Sequence, residues 1–199
     1  IWIVGITNSI NFFDNLDGGA SGTVAITSIA LLILALQGEQ YLIAALAGVL
    51  AGATSGFLLW NKPPARIYMG DAGALFLGVL LATLTIRLNP DTNSTIASFS
   101  IPVLILAVPI LDTSVAVISR LRRKISPFQG GKDHLSHRLI RFGVSRKKSA
   151  VSLWLLSGFF ALFAVIISTN MFNQDINLVI AALTIWLLLF ASFIKTKDS

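Results

Sequence analysis

Long apolar runs separated by short polar clusters constrain the fold of this chain more than any other sequence feature. A membrane hydrocarbon core of about 30 Å requires about 20 apolar residues in a helix. Six such runs occur, approximately at residues 20–37, 41–60, 72–88, 96–118, 150–169 and 176–194, and residues 1–6 read as the end of a seventh. Because the runs are apolar on all sides, they predict helices rather than the alternating strands of a membrane barrel.

We therefore expect an all-α fold, a polytopic transmembrane helix bundle of about six spans plus the end of a seventh, in a single membrane domain over residues 1–199. Only 12% of the residues are charged and 55% are hydrophobic, which excludes an ordinary soluble domain and a disordered chain. The sequence contains no cysteine, which excludes disulfides, a thiolate nucleophile and cysteine-ligated metals.

Lysine and arginine are distributed unevenly among the connections between the predicted spans. Alternate threading puts residues 7–19, 61–70, 119–149 and 195–199 on one side, and residues 38–40, 89–95 and 170–175 on the other. Of the 15 Lys and Arg residues, 14 belong to the first group, which the positive-inside rule makes cytoplasmic. The net charge of +6 then indicates loops that face anionic membrane lipid, and no nucleic-acid partner is expected.

Glycines recur at four-residue spacing in the second apolar run, at Gly48, Gly52 and Gly56. Small residues at this spacing allow helix backbones to approach closely in membranes. The stripe therefore predicts a helix-packing surface rather than a binding site.

Asn8, Asn11, Asp14 and Asp17 recur every three residues in the polar cluster before the first long run. An α-helix would spread these side chains over about half its circumference, whereas a 3₁₀ turn would align them. Either arrangement collects two carboxylates and two amides at the membrane surface, and Gly18 permits a sharp turn. The alternative is a set of capping and turn residues, but a cap needs only one Asp or Asn.

Asp71 stands in the sequence Gly70-Asp71-Ala72-Gly73, which opens the third long run. Taken alone, this position is typical of an N-cap. Helix N-termini with nearby glycines also bind phosphates, and Lys62 and Arg66 are close enough in the sequence to neutralise one. Both interpretations stay open at this point.

The connection over residues 119–149 contains ten of the 15 basic residues and both histidines of the chain. His134 and His137 are three residues apart, and Arg138 follows directly. A polybasic loop beside a bilayer usually faces lipid or sets topology. The presence of both histidines and a Gly-Gly turn among the cations favours a phosphate-binding role.

Together the three clusters place carboxylates suited to Mg²⁺, and basic side chains suited to phosphates, at one membrane surface. Mg²⁺ prefers a few carboxylate oxygens plus substrate phosphates. The combination predicts a phosphoryl-transfer site for anionic, lipid-linked substrates.

In order and in composition, the clusters resemble the motifs of the polyprenyl-phosphate N-acetylhexosamine-1-phosphate transferases, glycosyl transferase family 4. Asn8-x-x-Asn11-x-x-Asp14-x-x-Asp17-Gly18 resembles the asparagine/aspartate motif, and Met69-Gly70-Asp71-Ala72-Gly73 the GDxG motif. Ser126-Pro127-Phe128 with His134-x-x-His137-Arg138 is similar to the cytoplasmic histidine loop. Pro109-Ile110-Leu111-Asp112-Thr113 resembles the PxxDT run of the GlcNAc branch, the undecaprenyl-phosphate GlcNAc-1-phosphate transferases.

The resemblance implies transfer of a sugar-1-phosphate, GlcNAc-1-phosphate in the favoured branch, from a UDP-sugar to a polyprenyl phosphate, with release of UMP. It implies Mg²⁺ as cofactor, a role in cell-envelope polysaccharide synthesis, and a bacterial inner (plasma) membrane location with a cytoplasmic active site; a homodimer stays open. The implied catalytic residues are Asp14, Asp17 and Asp71, with Asp71 also the metal ligand. The implied substrate-binding residues are Asn8, Asn11, His134, His137 and Arg138.

The sequence also departs from the family pattern. Ser136 stands where many members have another histidine, and the adjacent aspartates that members carry upstream are missing. Because the chain also begins at Ile1, inside an apolar run, we expect it to be the C-terminal part of a longer enzyme and insufficient for activity alone.

Three alternatives remain: phospho-N-acetylmuramoyl-pentapeptide transferase-type activity, a multi-pass transporter, and a noncatalytic homologue that binds lipid phosphate. Transporters place ionisable groups near the bilayer midplane. Only Asp112 is clearly inside a predicted span, and the sequence shows no evident partner for it.

Overall fold

A computed structural model of the chain describes residues 1–90, 92, 94–127, 131–169 and 175–196. Phe128 of the Ser-Pro-Phe motif lies outside the described residues, as do residues 197–199 of the basic C-terminus. The described residues contain nine helices: α1 (Trp2–Phe13), α2 (Gly19–Gln37), α3 (Tyr41–Asn61), α4 (Gly70–Arg87), α5 (Thr95–Ile105), α6 (Ala107–Arg122), α7 (Leu135–Arg141), α8 (Arg146–Ser168) and α9 (Asp175–Lys195).

Five of these helices, α2, α3, α4, α8 and α9, are long and apolar enough to cross a membrane. They confirm five of the predicted spans to within a few residues at each end. The predicted span at residues 96–118 is instead two helices, α5 and α6, bent by 72° at their junction. The fold is therefore the expected all-α polytopic bundle, with one span broken rather than continuous.

The break between α5 and α6 has a physical cause in Pro109, which lies in the first turn of α6. Proline has no N–H, so the carbonyl of Ile105, four residues earlier, loses its helical donor. Thr27 of α2 donates its hydroxyl hydrogen to that carbonyl at 3.1 Å, and Trp186 of α9 donates to the carbonyl of Ala107 at 3.0 Å. Thr27 thus satisfies the carbonyl that Pro109 leaves without a donor, and Trp186 adds a hydrogen bond to the first residue of α6.

The first helix extends further than the sequence predicts. Residues 7–13, expected in a connection, continue α1, so Asn8 and Asn11 lie on an α-helix rather than on a 3₁₀ turn. Asp14 is the C-cap of α1, and Asp17 lies in the turn before α2.

Helices α1 and α4 pack antiparallel along their length. Trp2 donates its indole N–H to the Thr85 hydroxyl at 3.0 Å, and Gly78 lies so close to α1 that a Cβ there would be 2.6 Å from the Cα of Thr7. Each step forward along α1 is therefore matched by a step back along α4. The same register brings the C-terminus of α1 to the N-terminus of α4.

The connections gather at the two ends of the bundle as the charge distribution predicts. At one end, the side chain of Gln40 exchanges hydrogen bonds with the backbone of Asn89 at 2.7 and 2.9 Å, and Ser168 donates to Gln37. The opposite end, called the site end below, joins the turn after α1, the segment between α3 and α4, and the loop that contains α7. Which end faces the cytoplasm stays a prediction.

The glycine stripe of α3 does not pack as expected. Within the described parts of the chain, no atom lies within 4 Å of a Cβ placed on Gly52 or Gly56, and Gly48 reaches only Leu32 at 3.9 Å. The expected close helix packing at this stripe is therefore not made by the described helices.

Candidate active site

The turn between α1 and α2 is shaped by Gly18, whose φ of +71° is left-handed and favours glycine. A Cβ at Gly18 would lie 3.3 Å from the Cα of Lys62 and 3.3 Å from the indole of Trp154. Trp154 also donates to the carbonyl of Gly18 at 2.9 Å. The glycine that follows Asp17 is therefore required by both its conformation and its close neighbours.

Asn61, which the sequence analysis missed, joins this turn to the segment between α3 and α4. Its carbonyl oxygen accepts from the Gly18 N–H at 3.1 Å and the Ser21 hydroxyl at 2.7 Å. Its amide donates to the carbonyl of Ile67 at 3.0 Å. An asparagine in the last turn of an otherwise apolar span was the available signal, because such a side chain needs partners once buried.

Asp14, Asp17 and Asp71 lie close enough for their charges to interact. Burial raises the pKa of Asp14 to about 6, and the charges of Asp71 and then Asp17 add to the effect. Asp17 is held in place by the backbone N–H of Ala65, which donates to its carboxylate at 3.1 Å. The structure therefore brings together the three carboxylates that the sequence places in two separate motifs.

Asp71 is not an N-cap. Met69 occupies the N-cap position of α4, Asp71 is the second residue of the helix, and the helix has no side-chain cap hydrogen bond. The exposed carboxylate lies in the first turn of the helix, where the helix dipole favours negative charge.

Asn8 and Asn11 face different surroundings from the carboxylates. Asn8 is exposed, and its amide donates to the carbonyl of Val4 one turn earlier at 2.8 Å. The side-chain oxygen of Asn11 is buried and has no hydrogen-bond partner within the described part of the chain. Their expected substrate contacts stay predictions.

His137, on α7, faces a cavity of about 380 Å³ together with three cations. The other side chains that line the cavity are Asn15, Leu16, Asp17, Lys132, Ile140, Arg141 and Arg146. A concave site with several cations and one carboxylate at its edge is suited to an anionic ligand. The loop predicted to bind phosphate therefore forms a cationic cavity.

Burial lowers the pKa of His137 below its usual value. The positive charges of Arg141 and Lys132 lower this pKa further, and the Asp112 carboxylate opposes the shift. At neutral pH the ring is therefore uncharged, with one N–H donor and one acceptor nitrogen.

A second cavity of about 210 Å³ adjoins the first and is acidic. Its lining side chains are Asp14, Asn15, Leu16, Asp17, Asn61, Tyr68 and Met69. Asn15, Leu16 and Asp17 line both cavities, and the Ser136 hydroxyl of α7 donates to Asn15. The carboxylates and the cationic loop thus share one wall.

His134 is buried behind this surface and has protein partners at both ring nitrogens. Its Nδ1 lies 2.6 Å from the Asp112 carboxylate and its Nε2 lies 3.3 Å from Arg120. Asp112 therefore has a partner, contrary to the sequence-based expectation. The expected contact of His134 with a diphosphate stays a prediction.

Asp133, another residue that the sequence analysis missed, is only 1% exposed and forms a buried ion pair. Arg120 donates two hydrogen bonds to its carboxylate, each at 2.9 Å, and Arg123 donates a third at 2.7 Å. Burial alone would raise the pKa of Asp133, but the hydrogen bonds and charge of Arg120 outweigh it and lower the pKa. The pair fixes the loop to α6.

The sequence predicts that Arg138 lies beside His137 as a second donor to the ligand. In the structure its side chain points elsewhere. It is 1% exposed, and its guanidinium donates to the carbonyls of Phe193 and Thr196 at 2.8 and 2.9 Å and to the Ser119 hydroxyl at 2.9 Å. The side chain thus binds the C-terminal end of α9, where unpaired carbonyls need donors. Spacing alone could not reveal this orientation.

The acidic cluster fits a hard divalent cation. Oxygen donors suit Mg²⁺, and a cation would relieve the repulsion that contributes to the raised pKa of Asp14. Among the described residues, no three Asp, Glu, His or Cys side chains are grouped so that they could hold a metal ion together. Mg²⁺ typically takes one or two carboxylates and completes its shell with water and substrate phosphates, so the donor set fits a cation bound with an anionic ligand.

The fold and the site define a polytopic α-helical membrane protein with adjoining acidic and cationic cavities at one end. Residues 1–89 match the family model described as glycosyl transferase family 4. The chain is 39% identical over 194 residues to a Bacillus subtilis protein named "Probable undecaprenyl-phosphate N-acetylglucosaminyl 1-phosphate transferase", covering 98% of this chain and 50% of the relative. These matches assign the chain to glycosyl transferase family 4.

Other relatives include a second GlcNAc-type transferase and a pentapeptide-type transferase. The chain is 35% identical over 176 residues to decaprenyl-phosphate N-acetylglucosaminephosphotransferase of Mycolicibacterium smegmatis, covering 79% of this chain and 43% of the relative. It is 39% identical over 90 residues to phospho-N-acetylmuramoyl-pentapeptide-transferase of Streptococcus uberis, covering 45% of this chain and 27% of the relative. The chain spans about half the length of the first curated relatives it matches.

Proposed function

We propose that this chain forms the C-terminal part of a Mg²⁺-dependent glycosyl-1-phosphate transferase. The enzyme moves GlcNAc-1-phosphate from a UDP-sugar to a polyprenyl phosphate and releases UMP. The observation that carries this proposal is the wall shared by the acidic and cationic cavities, where Asp17 and His137 line one space. Phosphoryl transfer requires alignment and charge neutralisation more than covalent help from the protein.

The cationic cavity is assigned to the anionic part of the nucleotide sugar. Lys132, Arg141 and Arg146 supply positive charge, and the neutral His137 ring supplies a directed donor. Such groups bind phosphate oxygens by charge-assisted hydrogen bonds. In this assignment the cations bind the substrate and His137 orients it.

The divalent cation is assigned to the acidic cluster, with Asp71 as the ligand. Asp14 and Asp17, which line the acidic cavity, are the neighbouring carboxylates, and the charge of Asp71 acts on Asp14. Mg²⁺ bound there would neutralise charge on the diphosphate. Asp17 is already oriented by the Ala65 backbone, and Gly18 keeps the turn close to α3.

The site end is assigned to the cytoplasmic face of a bacterial inner membrane. A soluble nucleotide sugar and a membrane-bound lipid phosphate can meet only at such an interface, and the basic residues gather at that end. The proposed reaction supplies a lipid-linked sugar for the synthesis of cell-envelope polysaccharides.

The second candidate is phospho-N-acetylmuramoyl-pentapeptide transfer, which the similarity to the Streptococcus uberis enzyme supports. The Bacillus subtilis GlcNAc-type relative is 39% identical over 98% of this chain, whereas the phospho-N-acetylmuramoyl-pentapeptide-transferase of Streptococcus equi subsp. zooepidemicus is 30% identical over 79% of it. We therefore favour GlcNAc-1-phosphate as the transferred group.

The test is product formation by the intact protein that carries this chain, purified in detergent with polyprenyl phosphate. UDP-GlcNAc should yield UMP and a lipid-linked GlcNAc diphosphate, and UDP-N-acetylmuramoyl-pentapeptide should yield neither. Turnover of the pentapeptide donor alone would move the assignment to the second candidate. No UMP from either donor would contradict the transferase proposal and return the transporter and the noncatalytic lipid-phosphate binder as alternatives.

A further inference from the structure

One buried face of α6 holds the histidine loop. Asp112, Ser119 and Arg120 are spaced seven and eight residues apart, which places them on one side of the helix, and each is at most 3% exposed. A carboxylate and a guanidinium buried in a membrane bundle require partners. Each of the three has a partner in the loop: Asp112 contacts His134, Ser119 contacts Arg138, and Arg120 contacts Asp133.

Asp112 uses its two carboxylate oxygens for two different tasks. Oδ2 lies 2.6 Å from Nδ1 of His134, and Oδ1 accepts the backbone N–H of Leu135 at 2.7 Å. Leu135 is the first residue of α7, so its N–H has no partner within the helix. One side chain of α6 therefore fixes both the imidazole of His134 and the start of α7.

The hydrogen-bond network also assigns the tautomer of His134. The guanidinium of Arg120 can only donate, so Nε2 of His134, at 3.3 Å, acts as the acceptor. Nδ1 then carries the hydrogen, which it donates to Asp112. Arg120 is itself held by Asp133 and by the carbonyl of Pro127 at 2.7 Å, so it is not free to turn away.

Fixing His134 also fixes His137. The two histidines are one turn of helix apart, and their ring centroids are 6.0 Å apart. The ring of Phe12, at the end of α1, packs edge-on against His134 at 6.3 Å and lies under Arg120 at 5.6 Å. The orientation of this cluster therefore determines how His137 faces the shared wall of the two cavities.

We propose that Asp112 is a positioning residue of the active site. It holds His134 in the Nδ1–H tautomer and anchors the N-terminus of α7, and through both contacts it directs His137 into the cationic cavity. This inference rests on the proposed transferase function, because it assigns Asp112 an effect on that reaction.

Asp112→Asn tests the inference because it keeps the shape and removes one acceptor. Leu135 and His134 contact different oxygens of the carboxylate, and the amide has only one oxygen, so the variant cannot accept from both donors in their present positions. If its oxygen stays on Leu135, its NH₂ faces Nδ1 of His134 and forces the Nε2–H tautomer, which then opposes the donor of Arg120. If its oxygen stays on His134, its NH₂ faces the Leu135 N–H and loosens the start of α7.

We expect kcat of Asp112→Asn in the intact protein to fall about 10- to 100-fold, the usual effect of losing a carboxylate that orients a functional histidine. KM for the nucleotide sugar should change little, because Lys132, Arg141 and Arg146 still line the cavity. Ser119→Ala is the matched control, since it removes a loop contact from the same face of α6 without touching His134. Equal kcat losses in both variants would overturn the inference in favour of a general loop anchor.

A second measurement is independent of activity. The ¹⁵N NMR spectrum of histidine-labelled protein, with the His134 signal identified by its absence in His134→Gln, should show the Nδ1–H tautomer in the wild type and its loss or broadening in Asp112→Asn. An Nε2–H or doubly protonated His134 in the wild type, or an Nδ1–H signal in Asp112→Asn that is neither lost nor broadened, would overturn the inference. Failure of the transferase proposal would be distinguishable, because the wild type would then release no UMP while His134 still showed the Nδ1–H tautomer.

Discussion

The pKa of Asp14 depends on its burial and on the charges of the neighbouring carboxylates. Its pKa rises from 3.8 to about 6 because the side chain is partly buried and because Asp71 and Asp17 carry like charge nearby. A pKa raised in the folded state means that the protonated form is the better accommodated one. The stability contributed by protonation is therefore fully present below pH 3.8 and lost as the pH rises through about 6.

We predict that Asp14→Asn raises the Tm at pH 7 in EDTA, because the amide resembles the protonated carboxyl at every pH. The difference from the wild type should close as the pH falls below 3.8, and Mg²⁺ should narrow it at pH 7 by neutralising the cluster. Thermal unfolding in detergent at several pH values measures both effects. A lower Tm for Asp14→Asn at pH 7 would show that the carboxylate stabilises the fold instead.

Substitutions of His137 and His134 test whether the histidine loop requires imidazole side chains or only positive charge. If the loop only contacts anionic lipid, His137→Lys should be tolerated. In the proposed site it should reduce transfer about 100-fold, the scale of losing one directed donor to developing charge. His134→Ala should also reduce transfer strongly, and the transfer assay with membrane insertion as a second readout measures both variants.

Arg122→Gln is the matched control, since it removes an exposed charge from the region of the same loop. It should leave transfer nearly unchanged. A larger loss in Arg122→Gln than in His137→Lys would return the loop to the role of a topology signal.

At the scale of elements, the register between α1 and α4 positions the acidic cluster. Gly78 allows the two helices to approach, since a Cβ at this position would lie 2.6 Å from the Cα of Thr7. Backbone atoms cannot move aside as a flexible side chain can. The register that this contact sets carries Asp14 to the N-terminus of α4, where Asp71 lies.

We predict that Gly78→Ala lowers the stability by about 1–3 kcal/mol, as overpacking does, and reduces transfer by separating Asp14 from Asp71. The Tm in detergent and the transfer rate measure the two effects. Gly158→Ala, where the new methyl would meet Ile26 at an ordinary 4.0 Å, should be neutral or slightly stabilising. Equal effects of the two substitutions would show that helix propensity, and not the α1–α4 contact, decides the outcome.

Local hydropathy was enough to predict the spans, because each one is apolar over its own length. It could not predict the break between α5 and α6, where the sequence stays apolar and a hydrogen bond from Thr27 replaces the donor that Pro109 lacks. Nor could it predict that α1 continues through the asparagines.

The candidate site likewise has features that the sequence predicts and features that it does not. Alternate threading of the spans and the distribution of Lys and Arg predicted that the carboxylates and His137 would lie at one end of the bundle. The partners of Asp112, Asn61 and Arg138 depend on contacts between distant parts of the chain, which spacing does not contain.

For the whole molecule, the distribution of charge predicts which end of the bundle faces the cytoplasm. The chain has no native cysteine, so a single cysteine introduced at position 15, 65 or 131 gives a clean label site within this chain. All three should be protected from an impermeant thiol reagent in intact cells and labelled in inverted vesicles. A cysteine in place of Gln40, at the opposite end, should show the reverse pattern. Labelling of positions 15, 65 and 131 from different sides would remove the basis for a composite site.

In the proposed reaction the acidic cluster and the cationic cavity act together on one diphosphate, with a metal at Asp71. UMP release from UDP-GlcNAc by the intact protein, titrated with Mg²⁺, tests it most directly when wild type and Asp71→Asn are compared. Because Asp71 makes no cap hydrogen bond, the variant should keep its fold. As a control, Glu39→Gln at the opposite end of the bundle should keep its activity. We predict Mg²⁺-dependent release by the wild type and a loss of about 100-fold or more in Asp71→Asn. Wild-type release by Asp71→Asn at every Mg²⁺ concentration would contradict the account.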